Sequence, residues 1–256
     1  MIYSQLKKEG MNFMNKYSNT FQIQFIDAGE GNALTNKGIL RLMQEIAGQN
    51  SDSVGIGLND TPKTGLAWII LNWKLKVFMR PRWNEKVNIS TWTRCEKSLF
   101  CYRNFKICDD RNNVIAVASS KWVLYDVNKK SICRVPKEVQ EKFPDSDETV
   151  FIEKFNEKIK EPENSKLVYE YIIQRRDIDT NHHVNNLNYL DYAMEALPKD
   201  VYSNTNFSNV EIMYKHEAKL GDTISVFYSY TESNEYVITI KDKEKKQIHA
   251  IIKLYN

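Results

Sequence analysis

The 256-residue chain lacks the signals that would settle its chemistry at once. Its four cysteines, Cys95, Cys101, Cys108 and Cys133, form no CxxC pair and no CxxH spacing, so neither a zinc motif nor a dithiol redox motif is encoded. They read as reduced thiols of a cytoplasmic protein. Neither sign of charge dominates: 36 Lys+Arg stand against 33 Asp+Glu, a formal net charge of +3, which argues against a nucleic-acid binder. No run approaches the ~20 apolar residues of a membrane span. The first twenty residues, MIYSQLKKEGMNFMNKYSNT, lack the apolar core of a secretory signal, and Met11 and Met14 offer later starts. The expectation is a cytoplasmic protein with no membrane and no nucleic-acid partner.

What the sequence does contain is a globular composition with a β bias: 42% apolar and 27% charged residues, with 14 Tyr, 11 Phe and 5 Trp. The chain is long enough for one large domain or two ordinary ones. FQIQF (21–25) alternates like a strand. The segment 36–55 then places Ile39, Leu42, Met43, Ile46 and Ala47 at helical spacing, with Asn36 as a possible cap and Gly55 as a stop. Segments 71–78, 86–93, 100–108 and 113–127 follow as strands joined by short turns, an antiparallel meander.

That order recurs: a strand at 167–174, a helix at 185–197 with Leu187, Leu190, Met194 and Leu197 on one stripe, then strands at 208–217, 222–230, 235–242 and 247–255. Laying Trp83-Asn84-Glu85-Lys86-Val87 over Leu220-Gly221-Asp222-Thr223-Ile224 aligns the same turn in both halves. Two copies of one α+β unit are expected, each a long helix wrapped by a curved antiparallel sheet: a tandem, or double, hotdog. The division reads as an extension (1–20), a first unit (21–135), a charged, proline-bearing surface linker (136–166) and a second unit (167–256).

The densest chemistry lies in RRDIDTNHHVNNLNYLDY (175–192), which gathers Asp177, Asp179, Asn181, His182, His183, Asn185 and Asn186 ahead of the second helix. Turn and cap roles account for the asparagines. The spacing fits no zinc or two-histidine–carboxylate pattern, so no metal and no cofactor are expected. A catalytic role remains: a histidine takes a proton from water if a carboxylate such as Asp179, or one from a neighbouring strand, holds its other nitrogen. Asn181 and the helix-start amides are available to a developing oxyanion. No activated nucleophile is evident. Direct attack by water suits a thioester, whose thiolate leaves readily.

The segment RRDIDTNHHVNNLNYLDYAMEALP resembles the D-x-D-x-N-x-H-V-N-N stretch of acyl-acyl-carrier-protein thioesterases. VEIMYKHEAKLGD (210–222), KWVLYDVNKKSICRVPKEV (121–139) and the first strand and helix are similar to that family as well, so the likeness covers roughly 20–255. The resemblance implies a thioester hydrolase releasing free fatty acid from acyl carrier protein, with Asp179, Asn181, His183 and Glu217 catalytic and His182 not. Ala218 stands where the family often has cysteine, against a thiol nucleophile. The first half lacks the acidic loop, and Arg80 falls near the place of Glu217. Catalysis is therefore expected in the second unit and the acyl chain in the first, with Met43, Ala47 and Trp68 as lining candidates. Acyl carrier protein is the expected partner, docking by its acidic surface on basic residues such as Lys215, Lys219, Arg175 and Arg176. Monomer or homodimer is expected. Coenzyme A as the carrier, and a non-hydrolytic acyl-binding protein, are the alternatives.

Overall fold

The computed structural model describes residues 16–95, 99–143, 146, 148–151 and 158–256. The strands are β1 (Tyr17–Gln22), β2 (Leu66–Val77), β3 (Lys86–Cys95), β4 (Phe100–Cys108), β5 (Val114–Asp126), β6 (Ser131–Cys133), β7 (Lys166–Ile172), β8 (Asn209–Tyr214), β9 (Thr223–Tyr230), β10 (Tyr236–Asp242) and β11 (Ile248–Tyr255). The helices are α1 (Asn36–Ser53), α2 (Thr61–Thr64), α3 (Lys137–Gln140), α4 (Asn188–Glu195) and α5 (Lys199–Asn204).

The two predicted sheets are continuous. Strand order is β1-β3-β4-β5-β2-β8-β11-β10-β9-β7, with β6 on β5, so the halves meet where β2 pairs antiparallel with β8. Lys74 lies directly opposite Glu211, with Trp73 against Ile212 and Leu75 against Val210, a symmetric register that relates the halves by a pseudo-twofold axis. Pairing at this junction removes two free sheet edges from the middle of the molecule.

Helix α1 forms because its apolar residues recur on one face. Ile39, Leu40, Leu42, Met43, Ile46 and Ala47 are all buried, each large side chain contributing about 1.5–3 kcal/mol of transfer free energy. Its cap is Thr35 rather than Asn36, the Thr35 hydroxyl accepting from Gly38 N. Gly55, at φ +70°, ends it as read. Helix α4 is shorter than the predicted 185–197: the stretch 185–187 is a capping turn, and Pro198, which cannot donate to a continuing helix, follows its last turn.

Several boundaries depart from sequence expectation. β1 begins at Tyr17, ahead of Phe21, because Tyr17-Ser-Asn-Thr pairs with β3 as an exposed edge strand and carries no alternation. β8 stops at Tyr214, so Lys215, His216 and Glu217 belong to the following loop and not to a strand face. The linker also does more than cross the surface. Val139 and Phe143 are buried with Ile56, Cys101 and Leu124, and Val150 packs on Trp92 and Val117.

The cysteines require a correction: Cys95 and Cys101 form a disulfide, while Cys108 and Cys133 are free. The pair lies in direct cross-strand register between β3 and β4, a proximity that six residues of linear spacing do not display. Among the described residues, no helix is long and apolar enough to cross a membrane, and no group of three or more His, Cys, Asp or Glu is arranged to hold a metal ion.

Candidate active site

The loop between β7 and α4 is built on two aspartates. Asp177 is buried; its carboxylate accepts from Tyr171 Oη at 2.8 Å and Gln174 N at 2.7 Å, and its carbonyl accepts from Asn185 N at 2.8 Å. Asp179 organises the next turn. Its Oδ1 accepts from Asn181 N at 2.8 Å and His183 N at 3.3 Å, and its own N–H donates to His183 O at 2.8 Å. His182 takes φ +62° at the turn's apex and is exposed, a left-handed position that histidine tolerates better than most residues.

This turn aims the His183 imidazole at the loop after β8, where Nδ1 lies 3.1 Å from Glu217 Oε2. Lys219 Nζ stands 4.0 Å from the other carboxylate oxygen. The loop holding Glu217 is pinned on both sides of Ala218, whose N–H donates to Tyr189 Oη at 3.2 Å and whose carbonyl accepts from Val184 N at 2.9 Å. Burial keeps the Tyr189 phenol well above its ordinary pKa, so it remains a neutral acceptor for that N–H. Ala218 is itself fully buried.

The helix-start amides are less available than the sequence suggested. Asn185 Oδ1 accepts from Leu187 N at 3.0 Å and its carbonyl from Asn188 N at 2.9 Å, so the cap consumes two of them. Asn181 is the neutral donor that faces open space. It lines a cavity of about 210 Å³ in the first half, between the C-terminal turns of α1 and the inner face of β2–β5. Ala47 and Trp68 line it too; Met43 does not, being fully enclosed in the main core. Sequence reading missed two further wall residues, Thr93 and Arg103. The available signal was their alternation with Cys95 and with Cys101 and Phe105 on the inward faces of β3 and β4.

The first half repeats the loop's backbone hydrogen bonds. Gly29 N donates to Ala33 O, Asn32 N to Gly29 O, Thr35 N to Asp27 O and Leu34 N to Pro81 O, where the second half has Asp179 to His183, His182 to Asp179, Asn185 to Asp177 and Val184 to Ala218. This correspondence sets Gly29, Gly31, Ala33 and Arg80 at the places of Asp179, Asn181, His183 and Glu217. Arg80 turns inward instead, donating to Leu34 O at 2.9 Å, Asn36 Oδ1 at 2.8 Å and Phe207 O at 2.7 Å.

The arrangement is a tandem hotdog with a cavity in one half and a carboxylate–histidine pair in the other, and comparison with known proteins covers most of the chain. Family models of the acyl-ACP thioesterase N-terminal and C-terminal domains match residues 14–143 and 160–254. The chain is 25% identical over 252 residues to an oleoyl-acyl carrier protein thioesterase, chloroplastic, of Coriandrum sativum, covering 91% of this chain and 67% of that protein. The crystal structure of an acyl-ACP thioesterase from Bacteroides thetaiotaomicron superposes with a TM-score of 0.85 at 22% identity, covering 94% of this chain and 97% of that one. A 12:0-ACP thioesterase from Umbellularia californica superposes with a TM-score of 0.83 at 18% identity over 96% and 98%. The chain belongs to the acyl-ACP thioesterase family, whose members hydrolyse acyl-ACP thioesters.

Proposed function

We propose that this chain hydrolyses its thioester by direct attack of water, with His183 as general base, Glu217 as its anchor, Asn181 as the donor to the carbonyl oxygen and Asp179 as the residue that sets the loop. The 3.1 Å contact between His183 Nδ1 and Glu217 Oε2 carries this reading. With Nδ1 engaged, Nε2 faces the water. As the water oxygen bonds to the thioester carbon, its proton passes to Nε2, and Glu217 stabilises the imidazolium that forms. The carbonyl electrons move onto oxygen, where the Asn181 amide donates a hydrogen bond.

Collapse of that intermediate breaks the carbon–sulfur bond. The departing thiolate takes the proton back from His183, giving the free acid and the carrier thiol. No covalent acyl-enzyme is required, consistent with alanine at position 218. The acyl chain occupies the cavity beside Asn181, between α1 and the sheet of the first half. Acyl carrier protein, the substrate's carrier, docks by its acidic surface over the exposed basic residues that flank the loop, Arg175, Arg176, Lys215 and Lys219.

Thiol release from acylated carrier protein by Glu217→Gln and His183→Ala tests the assignment. Both variants should lose most of kcat, and undiminished hydrolysis by Glu217→Gln would remove the carboxylate from the mechanism. Docking is tested by salt: the KM for acyl carrier protein should rise with ionic strength, while that for a short free thioester should not.

A further inference from the structure

We propose that the acyl group for which this enzyme is built carries an oxygen substituent, a hydroxyl or oxo group, read by Arg103 inside the cavity of the first half. The inference rests on the acyl chain occupying that cavity, as proposed above.

Arg103 is the principal observation. It is 5% exposed, sits on the inward register of β4 and lines the cavity. One nitrogen, Nη1, donates to Asn50 Oδ1 at 2.7 Å and makes a long contact of 3.4 Å with Thr91 Oγ1, while the guanidinium lies 5.3 Å from the Phe143 ring centre. Among the described residues no carboxylate pairs with it and no acceptor meets Nε or Nη2, its hydrogen bonds running from Nη1. Burial lowers its pKa to about 9, so it is still a cation at neutral pH. A buried cation without a counter-charge is unfavourable unless acceptors meet its N–H groups.

Two neighbours share the predicament. Thr93, directly opposite Arg103 across β3 and β4, is 5% exposed, and its Oγ1 has no hydrogen-bond partner. Trp68 Nε1, on β2, is likewise buried without a partner. All three side chains line one otherwise largely apolar space, but Thr93 Oγ1 and Trp68 Nε1 are enclosed by protein atoms and do not open on it, which leaves Arg103 as the donor a ligand can meet. A plain alkyl chain entering it would expel any water and leave the free Arg103 N–H groups facing methylene groups. An oxygen on the chain would accept from them.

The second half sharpens the point by contrast. The registers equivalent to Thr93 and Arg103 are held there by Tyr230 and Tyr236, again directly paired, with ring centres 4.7 Å apart. Phe207 and Tyr228 close on Tyr236 from either side, at 5.4 and 6.2 Å. Tyr230 is 51% exposed, so the equivalent place in the second half holds no buried cation beside a cavity.

The test is a series of acyl carrier protein thioesters of one chain length, unsubstituted or with a single hydroxyl or oxo group moved along the chain, assayed by thiol release. At least one oxygenated isomer should exceed the unsubstituted acyl group in kcat/KM by about tenfold or more, since a site with buried donors discriminates strongly against a ligand that leaves them unpaired. Arg103→Met, which removes the guanidinium, and Arg103→Lys, which keeps the charge but not the fork of donors, should each lower that preference ratio severalfold. If Arg103→Met fails to fold, Arg103→Lys decides. A preference for the unsubstituted chain at every position, or a ratio unmoved by the Arg103 variant that folds, overturns the inference and leaves the hydrolytic assignment intact. Absence of hydrolysis of every member of the series would instead overturn the hydrolytic assignment on which it rests.

Discussion

The two halves of this molecule share a backbone and, in the mechanism proposed, divide a reaction between them. Their loops before the main helix match in their backbone hydrogen bonds, yet one presents Asp179, Asn181, His183 and Glu217 and the other Gly29, Gly31, Ala33 and Arg80. The difference lies in side chains alone at three of these places; at the fourth, Gly31 is left-handed at φ +72° while Asn181 is not. The helices differ in the opposite sense. α1 runs on through Gly48 and Ser51 to wall a cavity, whereas α4 stops short of Pro198, the residue equivalent to Gly48. One half thus keeps a cavity beside its helix, and the other carries the histidine–carboxylate pair.

Making the second loop resemble the first should have the largest effect. His183→Ala installs the residue found at Ala33, and Glu217→Gln keeps shape while removing the charge that anchors the imidazole. Each should lower kcat by about 100- to 10,000-fold, the range of a positioned general base. KM should change little, and thermal unfolding should confirm that the fold persists. Making the first half resemble the second should act next. Gly48→Phe pushes a ring into the cavity and should reduce kcat/KM about tenfold or more for the longest acyl chain accepted, with a smaller loss for shorter ones, because each displaced methylene carries about 1–3 kcal/mol.

The caps come third. Thr35 and Asn185 occupy equivalent positions, accepting from Gly38 N and Leu187 N respectively. Alanine at either should cost about 1 kcal/mol, a fall in Tm of about 2–4 °C for a chain of this size. Asn185→Ala should also lower kcat, since the Asn185 side chain holds the turn that joins the His183 loop to α4, while Thr35→Ala, in the half without that histidine, should not. Equal kinetic effects of the two would deny that the halves are functionally distinct.

How much of this was legible beforehand follows from how far apart in sequence the relevant atoms lie. Asp179, Asn181 and His183 are contiguous, so their joint presence is visible in the chain, and α1 declares itself through the strict spacing of Ile39, Leu42, Met43 and Ile46. Arg103 and Thr93 look like ordinary strand residues until β3 and β4 are set in register; only then do they face the same cavity. The Cys95–Cys101 bridge was hidden for the same reason. The start of β1 is hard to read because only Tyr17 and Phe21 of this edge strand meet the core, and the polar residues Ser18, Asn19 and Thr20 between them show no hydrophobic alternation. The charge of the linker concealed Val139, Phe143 and Val150, three buried anchors among residues that are otherwise solvated.

The smallest predicted effect concerns a single hydrogen atom on α1. Glycine inside a helix is unfavourable by about 0.5–1 kcal/mol relative to alanine, and a Cβ built on Gly48 meets no atom within 4 Å. Nothing in the packing therefore demands glycine there, in contrast to Gly38, where a Cβ would fall 2.7 Å from the Asp27 carbonyl oxygen. Gly48→Ala should raise stability by about 0.5–1 kcal/mol, measured as a shift in urea midpoint at unchanged slope. It should also narrow the cavity by one methyl group, reducing kcat/KM for the longest acyl chain only slightly. A stabilised variant with that small kinetic loss would mean that the glycine is kept for the room it leaves the substrate. A destabilised variant would mean that the helix tolerates no side chain there, and the contrast drawn between Gly48 and Pro198 would have to be explained by folding instead of by function.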